Sequence, residues 1–204
     1  MKVPGLNFLK MKKIRRINLF AGPGAGKSTA CAQLFSRMKL AGFNVEQVTE
    51  YVKAWAILER KIKKFDQVYL WGKQMNREYI CLEGKIDSII TDSPLPLCAI
   101  YSKYYREQGK VTPQALMDLS CSFENMYPSL NIFLNRGDKE YHTEGRYQTP
   151  EEAYGIDNLI LEQWPNYTKR FKELYGYEMA DPTLNVFKYD DYDGMMKLIS
   201  SMIK

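Results

Sequence analysis

The segment with the clearest chemical meaning in the sequence is 21–29, AGPGAGKST. It lies between a short apolar run and an amphipathic stretch, so it is predicted to join a strand to a helix. In that setting glycines let backbone N–H groups turn inward around phosphate oxygens, and the helix N-terminus adds partial positive charge. The predicted nucleoside triphosphate site consists of Gly22, Pro23, Gly24, Ala25, Gly26, Lys27, Ser28 and Thr29.

Two side chains would complete this phosphate site. Lys27 would contact the β- and γ-phosphates, and the hydroxyl of Ser28 would bind Mg²⁺. A carboxylate must also stand near the cation, and Asp92 follows the apolar run 86–91. Asp92 could instead cap a helix that begins at Pro94, and the two roles are compatible. We therefore predict Ser28 and Asp92 as the metal ligands.

A second carboxylate, Glu50, follows the second predicted strand. The carboxyl end of that strand faces the crevice where substrates bind in open parallel sheets. Glu50 could accept a hydrogen bond from an acceptor hydroxyl and take its proton during phosphoryl transfer, or it could support the start of the next helix. Tyr51 and Trp55 lie one helical turn apart, and they would either sandwich a planar ring or pack in the core.

The segment 136–149 follows the fourth predicted strand and is predicted to form a lid over the nucleotide. Its arginines, Arg136 and Arg146, would neutralise charge on the transferring phosphoryl group, although exposed surface positions are the alternative. The residues NRGD at 135–138 imitate the guanine-binding motif of GTPases. The residues DSPL at 92–95 lack the glycine that a GTPase requires, so the pattern favours a kinase.

The elements that must position these residues alternate between apolar runs and amphipathic stretches. This alternation predicts an α/β domain with a parallel sheet. A capping box at Thr149 and Glu152 marks the start of one helix. The predicted strands are 17–20, 44–49, 86–91, 130–134 and 185–189, and the predicted helices are 27–40, 51–64, 66–85, 95–105, 112–127, 150–175 and 195–203.

Composition indicates one globular domain with a basic tail. The chain has 204 residues, of which 45% are hydrophobic and 26% charged, and its net charge is +5. Residues 1–16 hold six basic and no acidic side chains, so the remainder is nearly neutral and gives no argument from bulk charge for a nucleic-acid partner. We predict a basic tail over residues 1–13 and a single domain over residues 14–204.

Cysteine and histidine usage excludes two classes of small domain. The four cysteines, Cys31, Cys81, Cys98 and Cys121, lie far apart, and His142 is the one histidine. A disulfide scaffold and a zinc module are therefore both disfavoured. This cysteine usage favours a reducing, cytoplasmic location. No apolar run approaches the ~20 residues of a membrane span, so we expect no membrane partner.

Several further motifs occur in the order known from one family. They are EYVK at 50–53, FDQVYLWGKQ at 65–74, TDSPL at 91–95 followed by Tyr101, and the pair Gly145-Arg146. Over residues 14–190 the sequence resembles the nicotinamide riboside kinase-like P-loop family. That family includes the kinase domain of bacterial NAD-regulator proteins and relatives described as AAA-type ATPases, many of them from bacteriophages.

The resemblance implies a three-layer P-loop NTPase fold of the nucleoside and nucleotide kinase type. Its five-stranded parallel sheet would have the order 2-3-1-4-5, with helices on both faces. It also implies ATP or GTP as donor, Mg²⁺, and a small nucleoside-like acceptor. In such a kinase Glu50 and Asp92 would handle the acceptor hydroxyl and the metal, Gln74 would lie near the acceptor, and Arg136 and Arg146 would belong to the lid.

Two other functions stay open at this point. The basic residues Arg60, Lys61, Lys63, Lys64, Lys103 and Arg106 could line an acceptor cleft. The acceptor would then carry phosphate, as in a nucleoside monophosphate or in DNA with a hydroxymethylated base or a 5′ end. Alternatively these basic side chains occur there only because the helix dipole favours positive charge at the end of a helix. A nucleotide-hydrolysing switch that controls a protein partner is the third reading.

Overall fold

The computed structural model describes residues 13–63, 65–105, 111–138, 141–142 and 147–203. Most of the predicted basic tail and much of the predicted lid segment lie outside these ranges. Arg146, Lys64 and Arg106 also lie outside the described residues, so their predicted roles stay predictions.

The described chain forms one sheet of five parallel strands. Its spatial order is β2-β3-β1-β4-β5, which confirms the order expected from the resemblance. β1 is the central strand and pairs with β3 on one side and with β4 on the other. The chain therefore continues to opposite sides of β1, and a crevice opens beside β1 at the carboxyl ends of the strands. The strands are β1 (Arg16–Phe20), β2 (Val45–Val48), β3 (Ser88–Thr91), β4 (Ser129–Asn135) and β5 (Leu184–Lys188).

Helices cover both faces of the sheet, as predicted. They are α1 (Lys27–Leu40), α2 (Lys53–Ile57), α3 (Asp66–Glu83), α4 (Pro96–Tyr104), α5 (Val111–Met126), α6 (Pro150–Tyr175) and α7 (Tyr192–Met202). On one face Leu34 of α1 and Ile199 of α7 pack with Ile17 and Leu19 of β1. On the other face Phe20 packs with residues of α4, α5 and α6. The sheet is thus the middle of three layers.

Most predicted element boundaries agree with the structure within about two residues, but α2 is much shorter than predicted. The predicted helix 51–64 is reduced to Lys53–Ile57, because Glu59 (φ 52°) and Phe65 (φ 66°) adopt left-handed conformations that a helix does not contain. The carboxylate of Asp66 accepts a hydrogen bond from the backbone N–H of Lys63 at 2.6 Å and turns the chain into α3. The basic residues 60–63 consequently lie on an irregular segment.

Two predicted helix starts have different outcomes. The capping box is confirmed: the Thr149 hydroxyl accepts a hydrogen bond from the N–H of Glu152, and the Glu152 carboxylate accepts one from the N–H of Thr149. The start predicted for α5 at residue 112 is one residue late, because the helix already includes Val111. Helix ends commonly shift by a residue or two.

A buried ion-pair network ties the amino end of β1 to α3 and α5. Arg16 is 1% exposed, and it donates to Glu78 at 2.8 Å and to Glu124 at 3.1 Å. Burial raises the pKa of both carboxyl groups, and the nearby guanidinium opposes that rise. One buried cation facing two buried acids leaves an excess negative charge unless a proton is retained. The second oxygen of Glu78 has no hydrogen-bond partner among the described residues.

We expect Glu78→Gln to flatten the dependence of the unfolding free energy on pH. Because the pKa of Glu78 is raised on folding, the folded protein keeps a proton that the unfolded chain releases near the ordinary value of 4.5. Wild-type stability should then fall as pH rises above about 4.5, and the variant should lose this slope. Urea unfolding across that range measures it. Equal slopes in the two proteins would contradict the assignment. Arg16→Met, which removes the cation of the network, should lower the free energy of unfolding by about 3–5 kcal/mol.

Candidate active site

The phosphate-binding loop lies between β1 and α1. Gly24 (φ 77°) and Gly26 (φ 98°) take left-handed conformations, which non-glycine residues adopt only with strain. Gly26 is the N-cap of α1, and no side chain caps that helix. The first N–H groups of α1 are therefore open to an anion, and the helix dipole adds positive potential at the same place. The loop has the backbone that the sequence predicted.

The ammonium group of Lys27 folds back over this loop. It donates to the carbonyl oxygens of Ala21 at 2.7 Å and of Gly22 at 2.9 Å. Burial lowers the pKa of Lys27, and the nearby carboxylates of Glu50 and Asp92 oppose that shift. The ammonium thus lies against the phosphate loop, near the carboxylates of Glu50 and Asp92.

Ser28 and Asp92 meet at the edge of the loop. The hydroxyl of Ser28 donates to one carboxylate oxygen of Asp92 at 2.5 Å, and the other oxygen accepts a hydrogen bond from the N–H of Glu50 at 3.0 Å. Asp92 does not cap α4, because that helix begins at Pro96 and has no side-chain cap. A hydroxyl and a carboxylate oxygen are the donors that Mg²⁺ prefers, so this pair fits the cation.

Glu50 lies beside Asp92 because their strands are neighbours. Val48 of β2 pairs with Thr91 of β3, and each acid follows the end of its strand. Glu50 is half-buried, and burial raises its pKa, with Lys27 lowering it and Asp92 raising it further. No side chain caps α2, so the Glu50 carboxylate has no capping role. Its raised pKa is a property expected of a general base.

A cleft of about 430 Å³ extends from the loop. Apart from Lys27, Glu50 and Lys53, the described side chains that line it are uncharged. Gln148, from the predicted lid, donates to the hydroxyl of Tyr105. The aromatic lining of the cleft comes from Tyr51, Tyr101, Tyr105 and Tyr147. Aromatic side chains therefore form much of the wall of the cleft beyond the phosphate loop.

Trp55 and Tyr51 do not form the predicted pair of parallel walls. Their rings meet edge to face, with centroids 6.2 Å apart and planes at 67°. Trp55 is 6% exposed, stacks on Tyr69, and carries the Arg60 guanidinium 3.5 Å from its ring centroid. Tyr51 lines the cleft, whereas Trp55 is engaged by other protein groups.

Gln74 and Arg136 are both buried and bonded within the protein. The amide of Gln74, which lines the cleft, accepts a hydrogen bond from the N–H of Tyr51 and donates one to the hydroxyl of Thr91. Arg136 is 4% exposed and donates to Asp157 of α6 at 2.6 Å. The structure therefore places Arg136 behind the phosphate loop rather than on an open lid.

Asp157 is a residue that sequence reasoning missed. Its second carboxylate oxygen accepts a hydrogen bond from the backbone N–H of Gly22 at 2.5 Å, so it connects Arg136 to the phosphate loop. The one signal in the sequence was an acid beside the apolar positions Ile156 and Ile160 of the predicted helix. That signal gives no partner, because Asp157 lies 135 residues from Gly22 along the chain.

We expect Gly22→Ala to abolish nucleotide binding. A Cβ at Gly22 would lie 2.5 Å from the carbonyl oxygen of Ala153 and 2.9 Å from Asp157, so the loop would have to move away from α6. Gly155→Ala is the matched control, since nothing lies within 4 Å of its added Cβ. The control should bind normally and gain up to about 1 kcal/mol from helix propensity. Calorimetric titration with ATP measures both, and normal binding by Gly22→Ala would contradict the prediction.

Four of the basic residues considered for a phosphate-bearing acceptor lie in the described ranges, and none of the four lines the cleft. Arg60 covers Trp55, Lys61 and Lys63 are exposed, and none of the three borders the cleft. Lys103 lines a separate cavity of about 750 Å³ between α4, α5 and α6. Among the described residues, this leaves Lys53 as the basic side chain on the acceptor side.

Comparison with known proteins agrees with this geometry. A family model described as an AAA domain matches residues 16–178. The chain belongs to this AAA-domain family. The resemblance stated from the sequence motifs is thereby confirmed, and the five-stranded order with helices on both faces is that of a P-loop NTPase fold.

Solved structures are similar to this AAA-domain chain, and the one with a TM-score of 0.65 shares its fold. One is the crystal structure of NadR protein in complex with NR, with a TM-score of 0.65 and 13% identity over 94% of this chain and 52% of that chain. This chain thus spans about half the length of NadR. Another, APE1195, has a TM-score of 0.48 and 14% identity over 95% of this chain and 98% of that chain. No curated protein matches the sequence significantly. No helix in the described ranges is long and apolar enough to cross a membrane.

Proposed function

We propose that this chain is a phosphotransferase that moves the γ-phosphate of ATP to a hydroxyl group of a nucleoside or nucleotide-like acceptor. Mg²⁺ would accompany the nucleotide. Because its four cysteines are unpaired, we also propose that it works in a reducing cytoplasm.

One observation carries the proposal: two carboxylates from neighbouring strands stand beside the phosphate loop. Asp92 is bonded to Ser28, and Glu50 lies against Asp92 through its own N–H. A loop that only bound a nucleotide would need one of these acids for its metal. The second acid, with a pKa raised by burial, supplies a group able to accept a proton from an attacking hydroxyl.

Each of the site residues would then have one role in the transfer. Lys27 would balance the negative charge that shifts toward the β- and γ-phosphates as the bond breaks. Glu50 would orient the acceptor hydroxyl and take its proton. Ser28 and Asp92 would hold Mg²⁺, which supplies charge neutralisation and alignment of the phosphates when bound. The N–H groups at the start of α1 would contact phosphate oxygens.

The cleft beside Glu50 supports an uncharged acceptor with a planar ring. Its aromatic and amide side chains match a nucleoside, and the exposed basic residues Arg60, Lys61 and Lys63 lie outside it. NadR, which shares the fold, is described in complex with NR. We therefore favour a nucleoside such as nicotinamide riboside over a phosphorylated acceptor.

A coupled assay of ADP release tests the proposal directly. The protein with Mg-ATP would receive nicotinamide riboside, common nucleosides, deoxynucleoside monophosphates, and DNA with a 5′ hydroxyl or hydroxymethylated bases. We expect release that depends on one nucleoside. ADP release that depends on a monophosphate or on DNA would show that the proposed acceptor class is wrong. Slow release that is the same with every acceptor would indicate a nucleotide-hydrolysing switch instead of a kinase.

A further inference from the structure

Gln74, on α3, is buried where the ends of β2 and β3 meet, with 2% of its surface exposed. Its side-chain oxygen accepts a hydrogen bond from the N–H of Tyr51 at 3.3 Å, and its side-chain nitrogen donates to the hydroxyl oxygen of Thr91 at 3.2 Å. The amide can have only this orientation, because the Tyr51 N–H is a donor and must face the oxygen. Gln74 therefore bridges two strand ends.

Further hydrogen bonds extend this bridge to the carboxylates. The hydroxyl oxygen of Thr91 also accepts a hydrogen bond from the N–H of Ser93, on the far side of Asp92. The carboxylate of Asp92 in turn accepts one from the N–H of Glu50, the neighbour of Tyr51. Together these four hydrogen bonds link the loop that carries Glu50 to the loop that carries Asp92.

This link holds together two groups that repel each other. Glu50 and Asp92 are both acids, and each follows the end of one of two paired strands, so their ionised carboxylates repel each other. The start of α2 has no side-chain cap, so the loop that carries Glu50 lacks that means of fixing its position. Without Gln74 the repulsion would favour separation of the two loops. A displacement of about 1 Å at a reacting group can cost roughly 100-fold in rate.

We infer that Gln74 is a positioning residue that, together with Thr91, sets the distance between Glu50 and Asp92. This inference rests on the proposed phosphotransferase. The sequence predicted Gln74 near the acceptor, and Gln74 does line the cleft, but the inferred role acts through its hydrogen bonds to Tyr51 and Thr91. Both hydrogen-bonding ends of its amide already have partners in the protein, and Thr91, which completes the link, is fully buried.

Two nearly isosteric variants separate positioning from acceptor contact. Gln74→Leu removes both amide hydrogen bonds, and Thr91→Val breaks the same link at a residue that does not line the cleft. We expect each variant to lower kcat at least ~10-fold while the KM for the acceptor changes less than about threefold. Thr91→Ser keeps the hydroxyl and should restore most of kcat. A higher acceptor KM in Gln74→Leu with unchanged kcat, together with a silent Thr91→Val, would overturn the inference.

A second readout does not depend on turnover. Because Asp92 is proposed to hold Mg²⁺, a displaced Asp92 should raise the Mg²⁺ concentration needed for ATP to increase the melting temperature. We expect this increase in Gln74→Leu and in Thr91→Val, and wild-type behaviour in Thr91→Ser. If no acceptor supports turnover, the proposed function fails while this measurement still tests the positioning of Asp92. Unchanged Mg²⁺ dependence in both variants would overturn the inference, and far-UV circular dichroism verifies that the variants fold.

Discussion

Replacing Lys27 by alanine should lower kcat at least ~100-fold, because preorganised positive charge on the transferring phosphoryl group is a large contribution to catalysis. The ammonium already lies in the loop, held by two backbone carbonyl groups, so it needs little rearrangement when phosphates arrive. Burial lowers the pKa of Lys27, and the carboxylates of Glu50 and Asp92 oppose that shift. Alanine would leave those two acids without their counter-charge next to the anionic nucleotide.

Lys39→Ala provides the control for this prediction. Lys39 belongs to the same helix, α1, but lies exposed in its last turn. It should behave as wild type in the ADP-release assay and in thermal unfolding. Turnover close to wild type in Lys27→Ala, with Lys39→Ala normal, would rule out the proposed mechanism.

The fold could be predicted because its strongest signals are local. Glycines with positive φ, a strand that precedes them and a helix that follows them are all adjacent in sequence, so residues 21–29 already define the phosphate loop. Apolar runs then identify the strands, because both faces of a parallel sheet are covered by helices. The order of the strands came from the resemblance to a family and not from the runs themselves.

The parts that sequence reasoning missed depend on contacts between distant residues. The helix predicted over 51–64 ends early, and Arg60, just beyond it, stacks on Trp55. The pairing of Arg136 with Asp157 and of Asp157 with Gly22 joins three separate segments. Periodicity reports which face of an element is apolar, but not which buried polar group meets which partner.

The site shows the same division. Glu50 and Asp92 were predictable as strand-end acids, and their adjacency follows from the pairing of β2 with β3. The hydrogen bond from the Glu50 N–H to the Asp92 carboxylate could be seen only in the structure. The same holds for the hydrogen bonds of Gln74 to Tyr51 and Thr91. Arg146 lies outside the described residues and remains a predicted lid residue.

Replacing Glu50 by glutamine should abolish transfer to the acceptor while nucleotide binding persists. Glutamine keeps the size of the side chain and the backbone N–H that bonds to Asp92, but it cannot accept the proton of the attacking hydroxyl. General-base catalysis contributes about 10²–10⁴-fold, so a loss of at least ~100-fold in kcat is expected. Removing a negative charge beside the phosphates should leave the affinity for ATP unchanged or higher.

The pH dependence of the wild-type enzyme distinguishes a base from a purely structural carboxylate. Burial raises the pKa of Glu50 above its ordinary value of 4.5, and only the ionised form can accept a proton. The rate should therefore fall as pH drops through that raised pKa, and the residual rate of Glu50→Gln should lack this acidic limb. Glu46→Gln, two residues before the end of β2, should keep both the rate and the limb. If Glu50→Gln retained the limb and most of the rate, the proton would have to leave by another path, and Asp92 would be the next acid to test.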